Sequence, residues 1–415
     1  MNRSKMFYGW RIVIGAILVL AVTAPGSVAI ANVYQNAVTE ALGISNSMFS
    51  ISNTLILGVS VLFSGFISGK LAKNFKKFFI IMSIVYGFAY MGFGLVTNVW
   101  VFYLLSIIVG FGFVSTSVMP MSILISNWFE EKRGLALSIA LTGLGLGGVI
   151  WSPIVTHMIN NINWRVSYMV YGFVMLVVCL LVGIFIFAGH PEDMGLQAYG
   201  SDSKDQTENH TDHARVPFSI QESIKKPYFW LLLIGAVLVG LSNNGGLGQF
   251  PPFMQQMHGA SQGAIIISIY SGIGIIGKLS MGVLVDKFNP RFGIIYSSVL
   301  MAIAYFLAGY TESYTSAIML AIFFGLASAN GSVLPPLFTA SIFPATTYAK
   351  VFGLVNQFLS LGMMFGSLLA ASIGEAASYS TAWYIFAIIA ALITVFWLGS
   401  YYIAKKDFVD NHPNL

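Results

Sequence analysis

Charge is what this sequence has least of. Only 8% of its 415 residues are Asp, Glu, Lys or Arg, against roughly 25% in ordinary soluble domains. So few charges cannot cover a surface that faces water. With 57% hydrophobic residues and a mean hydropathy of +0.80, the chain's solvent is lipid. Cysteine is nearly missing as well. The single Cys179 lies in an apolar run and excludes an intrachain disulfide or a cysteine metal cluster. Nucleophile–base pairs and carboxylate dyads are also lacking, so nothing supports an enzyme, a metal centre or a cofactor. Among the 15 acids none falls in the middle of an apolar run: Glu40, Glu312 and Glu375 mark one side, and the others fall on the opposite side.

What is present is a series of apolar stretches of the length a bilayer requires, about 20 residues each. They predict an all-α membrane protein of 12 transmembrane helices in two pseudo-symmetric six-helix bundles. The first six spans are expected at about 10–33, 48–70, 78–97, 100–126, 134–158 and 166–188. The second six are expected at about 229–254, 262–285, 293–310, 315–341, 351–374 and 381–404. Residues 1–188 then form an N-terminal bundle, 189–228 a polar linker containing SDSKDQTENHTDHAR, and 229–415 a C-terminal bundle with a short tail. The first run is too long for a cleaved signal sequence and reads as a membrane helix.

The net charge of +5 does not indicate a nucleic-acid partner, because the cations are placed for topology. Of the 20 Lys and Arg, all but Arg165 and Lys278 fall in alternate connections or at the termini, from Arg3, Lys5 and Arg11 to Lys405 and Lys406. The positive-inside rule therefore puts both termini and the linker in the cytoplasm of a multi-pass inner-membrane protein. The halves also echo each other: GKLAKNFKK (69–77) follows span 2 and GVLVDKFNPR (282–291) follows span 8. At the same spacing Gly112 of span 4 aligns with Gly325 of span 10. A parallel duplication of this kind is the pattern of carriers with a midplane site.

Lys278 is the residue that most needs a reason. It lies eight positions before Asp286 in IYSGIGIIGKLSMGVLVDKF (269–288), hence about 12 Å inside the span at ~1.5 Å per residue. A charge at that depth costs at least about 2.5–3.5 kcal/mol, so it belongs in a polar cavity. No acid is placed to neutralise it, which leaves an anionic solute as its counter-ion. Tyr270 and Ser271 share its helix face. Thr23, Ser27, Ser115, Thr116, Ser242, Asn243, Asn244, Asn330, Asn356 and Gln357 fall near the middle of their own spans and are candidates for the cavity wall. Any one of them can equally be a contact between helices. Gly282, Asp286, Lys287 and Arg291 form a turn suited to latching the cytoplasmic side. Its copy after span 2 has Lys73 in place of the acid.

Other signals are bland. GLGLGG (143–148) has no preceding strand and reads as helix packing, not a phosphate loop. The sequon NHT (209–211) lies in the linker, and His157 and His258 lie at outer helix ends with no second ligand at metal spacing.

Twelve helices, the GxLxDKFxxR turn and the long linker resemble the major facilitator superfamily. Three stretches look like its oxalate/formate antiporter and monocarboxylate transporter group: YGWRIV (8–13), NWFEEKRGLALSIALTGLGLGG (127–148) and HPEDMGL (190–196). The resemblance implies a cation on span 8 that contacts a substrate carboxylate. That cation is usually arginine, and Lys278 holds its place. Oxalate carriers have a second cation on span 11, where this chain has Leu359, so the resemblance favours a monoanion such as lactate or pyruvate. The aromatic and lysine of animal members in span 1 are replaced by residues such as Ala24 and Val28. An acid one turn before the cation is replaced by Gly274, leaving Lys278 itself as the candidate proton carrier. The expected activity is alternating-access transport of a small organic anion, with symport or antiport open, by a monomer in the bilayer. The rivals are an oxalate/formate-type exchanger, a drug exporter, which would need a cavity acid, and a membrane sensor.

Overall fold

The computed structural model describes residues 7–27, 31–201, 220–246, 250–310 and 313–411. Arg3, Lys5, Lys204, Arg215, Glu312 and the sequon at 209–211 lie outside that set, as do the side chains of Ser27 and Glu375. The chain is an all-α membrane protein whose 12 spans form two bundles. Among the described residues, ten helices have the length and apolarity to cross a membrane. Spans 1 and 11 complete the twelve. Two compact units divide the chain, Met1–Asn209 and His210–Leu415.

In the first unit, span 1 is Tyr8–Ser27 with Ala31–Leu42 beyond it, and span 2 is Asn46–Lys73. Span 3 is Phe75–Gly92, and span 4 is Val99–Thr116 with Val118–Trp128. Span 5 is Arg133–Asn161 and span 6 is Trp164–Phe185. Asparagine side chains cap three of these helices: Asn74, Asn98 and Asn163 accept from the backbone N–H of Lys77, Trp100 and Arg165. GLGLGG lies inside the span 5 helix. Span 4 breaks at Ser117 (φ −95°, ψ −138°).

In the second unit, span 7 is Pro227–Gly240, continued by a π-helical turn, Leu241–Gly246. The next helix runs Phe250–Lys287, but Gly259 (φ 78°, ψ 167°) divides it into the far end of span 7 and all of span 8. Span 9 is Pro290–Ala308, capped by Asn289. Span 10 is Tyr314–Ala327, a 3₁₀ turn Ser328–Gly331, and Leu334–Ile342. Spans 11 and 12 are Ala345–Ala376 and Tyr379–Asn411.

The two units repeat one packing scheme. Span 1 packs on 5, 2 on 4 and 3 on 6; likewise 7 packs on 11, 8 on 10 and 9 on 12. The repetition extends to single groups. Tyr86 of span 3 donates its hydroxyl to the Thr23 carbonyl of span 1 (2.9 Å), and Tyr305 of span 9 donates to the Ser242 carbonyl of span 7. A Cβ on Gly143 would press on the Ile17 carbonyl, and a Cβ on Gly362 on the Val237 carbonyl, so spans 5 and 11 each lie directly on backbone. Thr23, Tyr86 and Gly143 all precede their counterparts by 219 residues.

Spans 2 and 4 follow a different register, and one expected match is corrected. Gly325 abuts Tyr270 and Ile273 of span 8, whereas Gly112 abuts Tyr86 of span 3. The glycine of span 4 that abuts span 2, at Ile56 and Val59, is Gly110. Connections of unequal length in the two halves shift the spacing, so an offset read from one turn does not carry through later spans.

Candidate solute-binding site

Span 8 is held against span 10 by its glycines. Ser328 Oγ donates to the Gly274 carbonyl at 3.5 Å, and a Cβ on Gly277 would lie 2.5 Å from the Leu326 carbonyl oxygen. Lys278 is the next residue, so its side chain leaves the helix about 100° away from that contact. It is half-buried, and among the described residues it makes no hydrogen bond or ion pair. Two turns away on the same face, Ser271 is exposed, its hydroxyl donating to the Ile267 carbonyl (2.9 Å). Tyr270 is half-buried with its ring 5.4 Å from that of Phe250, at the edge of the core built by Met301, Tyr305, Phe324 and Trp383.

The other candidates separate by burial. Asn243, in the π turn, lies against Gly331 and is half-buried. Asn244 donates to the Met363 carbonyl at 2.7 Å and ties span 7 to span 11. Gln357 of span 11 is half-buried. Asn330, by contrast, is 1% exposed: its Oδ1 accepts from Ser297 Oγ (3.3 Å), and its Nδ2 has no partner. In the first unit Thr23 and Ser115 are both fully enclosed. Thr23 donates to the Val19 carbonyl (2.9 Å), while Ser115 Oγ has no partner. Thr23, Ser115 and Asn330 are thus enclosed, unlike the half-buried Asn243 and Gln357. Helical position fixes depth, not which neighbour covers a side chain.

In the turn after span 8, Gly282 is buried and Asp286 exposed. Lys287 and Arg291 extend over the rings of Phe288 and Phe292 (5.6 and 5.0 Å). His258 Nε2 is buried without a partner, and His157 is exposed beside Asn161.

Sequence reasoning missed how the stretches starting at Tyr8 and Asn127 meet the chain on either side of residues 190–196. In the first unit, Tyr8 donates to the Ile186 carbonyl (3.0 Å), Trp128 Nε1 to Ala188 (2.9 Å) and Asn127 Nδ2 to Gly189 (3.0 Å). Backbone bonds then join Tyr199 N–H to Trp128 (2.9 Å) and Glu131 N–H to Tyr199 (3.0 Å). The rings of Phe7, Phe129 and Tyr199 pack mutually, and Lys132, in the left-handed region (φ 55°), reaches Tyr199. The chain after span 6 is thereby strapped across the turn between spans 4 and 5. The aromatic residues Phe7, Tyr8, Trp10, Trp128, Phe129 and Tyr199 were the available signal.

The family model of the Major Facilitator Superfamily matches residues 12–292 and 254–413, nearly the whole chain. The chain belongs to that superfamily. A solved member, the proton:xylose symporter XylE bound to 6-bromo-6-deoxy-D-glucose, superposes with a TM-score of 0.75 at 16% identity, covering 94% of this chain and 95% of its own. Among curated relatives, an MFS-type transporter of Gibberella moniliformis is 25% identical over 249 residues, 59% of this chain and 55% of its own length. Monocarboxylate transporter 12 of Mus musculus is 22% identical over 332 residues, 75% of this chain and 63% of its own. The chain thus spans between half and two-thirds of the length of these two curated relatives.

Proposed function

We propose that the protein is a secondary transporter of a small monocarboxylate, lactate- or pyruvate-like, working by alternating access in the inner membrane with both termini cytoplasmic. One observation carries the reading: Lys278, a half-buried cation inside span 8, forms no ion pair among the described residues. The carboxylate of the solute supplies the missing charge. Its Nζ is a point-charge donor without arginine's fork, so one carboxylate oxygen suffices. Ser271 and Tyr270 on the same helix, Asn243 and Asn244 on span 7, and Gln357 on span 11 offer the neutral contacts. Gly282, Asp286, Lys287 and Arg291 close the cytoplasmic side. Anion binding neutralises the lysine and favours the conformation that buries it, the differential interaction a switch requires.

The similarity to a monocarboxylate transporter supports the same class. An oxalate-type exchanger is less well supported, because the position for a second cation is Leu359, a buried apolar residue. The protein acts as a monomer, and any proton carried with the solute rides on Lys278. The test is uptake of radiolabelled L-lactate and pyruvate into proteoliposomes, by wild type and Lys278→Ala, with and without an inward proton gradient. Uptake lost in the variant supports the site, and acceleration by the gradient supports proton coupling. Wild type that moves neither acid refutes the substrate class.

A further inference from the structure

The turn between spans 2 and 3 has no part in the proposed transport site, and its charge is unusual. Lys70, Lys73, Lys76 and Lys77 are all exposed, and no Asp or Glu occurs in the sequence between Glu40 and Glu130. Three other cationic turns carry acids: Glu130 and Glu131 precede Lys132, Asp286 precedes Lys287, and Lys226 pairs with Asp407 at 2.6 Å. Among the described residues none of the four lysines forms an ion pair. One acid approaches the turn. A Cβ on Gly189 would touch both Phe75 (3.2 Å) and Asp193 Oδ2 (3.5 Å), but the Asp193 carboxylate accepts the His190 N–H.

The local backbone adds to the positive field. Lys76 and Lys77 occupy the first turn of span 3, where the helix dipole is itself positive. Lys76 is partly engaged, donating to the Ile184 carbonyl at 2.7 Å. Lys70, Lys73 and Lys77 are free to meet an external anion. Beneath them, span 2 exposes an apolar stripe: Leu62 is 69% and Phe66 61% exposed, and Lys70 Nζ lies 5.3 Å over the Phe66 ring. Leu62, Phe66 and Lys73 lie on one helix face, with Lys70 beside them. An apolar stripe ending in cations matches an amphiphile with an anionic head.

We infer that this turn is a binding site for an anionic phospholipid, with the phosphodiester held by Lys70, Lys73 and Lys77 and an acyl chain laid along Leu62 and Phe66. Juxtamembrane lysines near an anionic surface each contribute about a fivefold gain in binding. A soluble phosphate would meet the same cations but gain nothing from the stripe.

The full chain, purified from 1:1 phosphatidylglycerol:phosphatidylcholine vesicles, is examined by native mass spectrometry for retained lipid. Wild type is expected to retain phosphatidylglycerol over phosphatidylcholine severalfold. K70Q/K73Q/K77Q, which spares Lys76, is expected to lose that preference, and K405Q/K406Q to keep it. Thermal unfolding in detergent checks that both variants fold, and single Lys70→Gln and Lys73→Gln variants replace the triple if it does not. Wild type without preference, a triple variant or single variants that keep it in full, or its equal loss in K405Q/K406Q overturns the proposal. So does complete displacement of the lipid by millimolar inorganic phosphate.

Discussion

At the scale of the residue, the decisive contrast is between a half-buried cation and polar groups that are fully enclosed. A charge-assisted hydrogen bond contributes about 1.5–3 kcal/mol. Lys278→Ala should therefore weaken binding of the transported anion by about ten- to a hundredfold in an equilibrium titration, while Lys278→Arg retains most of it. Lys226 allows a pH argument outside the membrane. Its hydrogen bond to Asp407 raises the lysine above its ordinary pKa of 10.5. The raised folded value means that the pair's contribution is present below pH 10.5 and is lost as pH climbs through the raised value. Alkaline unfolding, followed by tryptophan fluorescence, should begin at lower pH in Lys226→Gln than in wild type. The depth of Lys278 was legible by counting back from Asp286. The enclosure of Thr23, Ser115 and Asn330 was not, because it depends on Tyr86, Ser297 and other partners far away in sequence.

Among elements, close approach of backbones decides how each bundle is built. Gly143 sits on the carbonyl of Ile17 and Gly362 on that of Val237, where any Cβ forces the helices apart. Overpacking of this kind costs typically about 1–3 kcal/mol. Gly362→Val should lower the melting temperature in detergent, whereas Gly145→Val, at a glycine with open space around it, should leave it nearly unchanged. All twelve spans were legible from hydropathy, but their ends were not. Span 12 continues through Lys405, Lys406 and Asp407 because a helix persists into the aqueous phase once its apolar part is anchored. The interruptions at Ser117, Leu241–Gly246 and Ser328–Gly331 were equally hidden. Their sequences mix small residues with asparagines and hold no proline, and irregular backbone in a membrane is tolerated only where protein or a cavity surrounds it.

For the whole molecule, charge placement and duplication make separate predictions. Cys179 is 1% exposed, so the native protein provides a quiet background for single-cysteine labelling. In intact cells, a membrane-impermeant maleimide should label Thr97→Cys and not Lys73→Cys or Lys405→Cys; the latter two should react only after permeabilisation. Labelling of Lys405→Cys in intact cells would reverse the orientation. The strap over the turn between spans 4 and 5 carries a consequence for how such a chain can be divided. Both Tyr8, at the start of the first unit, and Tyr199, near its end, are bonded into the same knot of aromatic rings and carbonyls. A polypeptide stopping after Ser201 would thus fasten its own last residues. The gene could be cut there into two separately expressed halves, each carrying one copy of the repeated packing scheme.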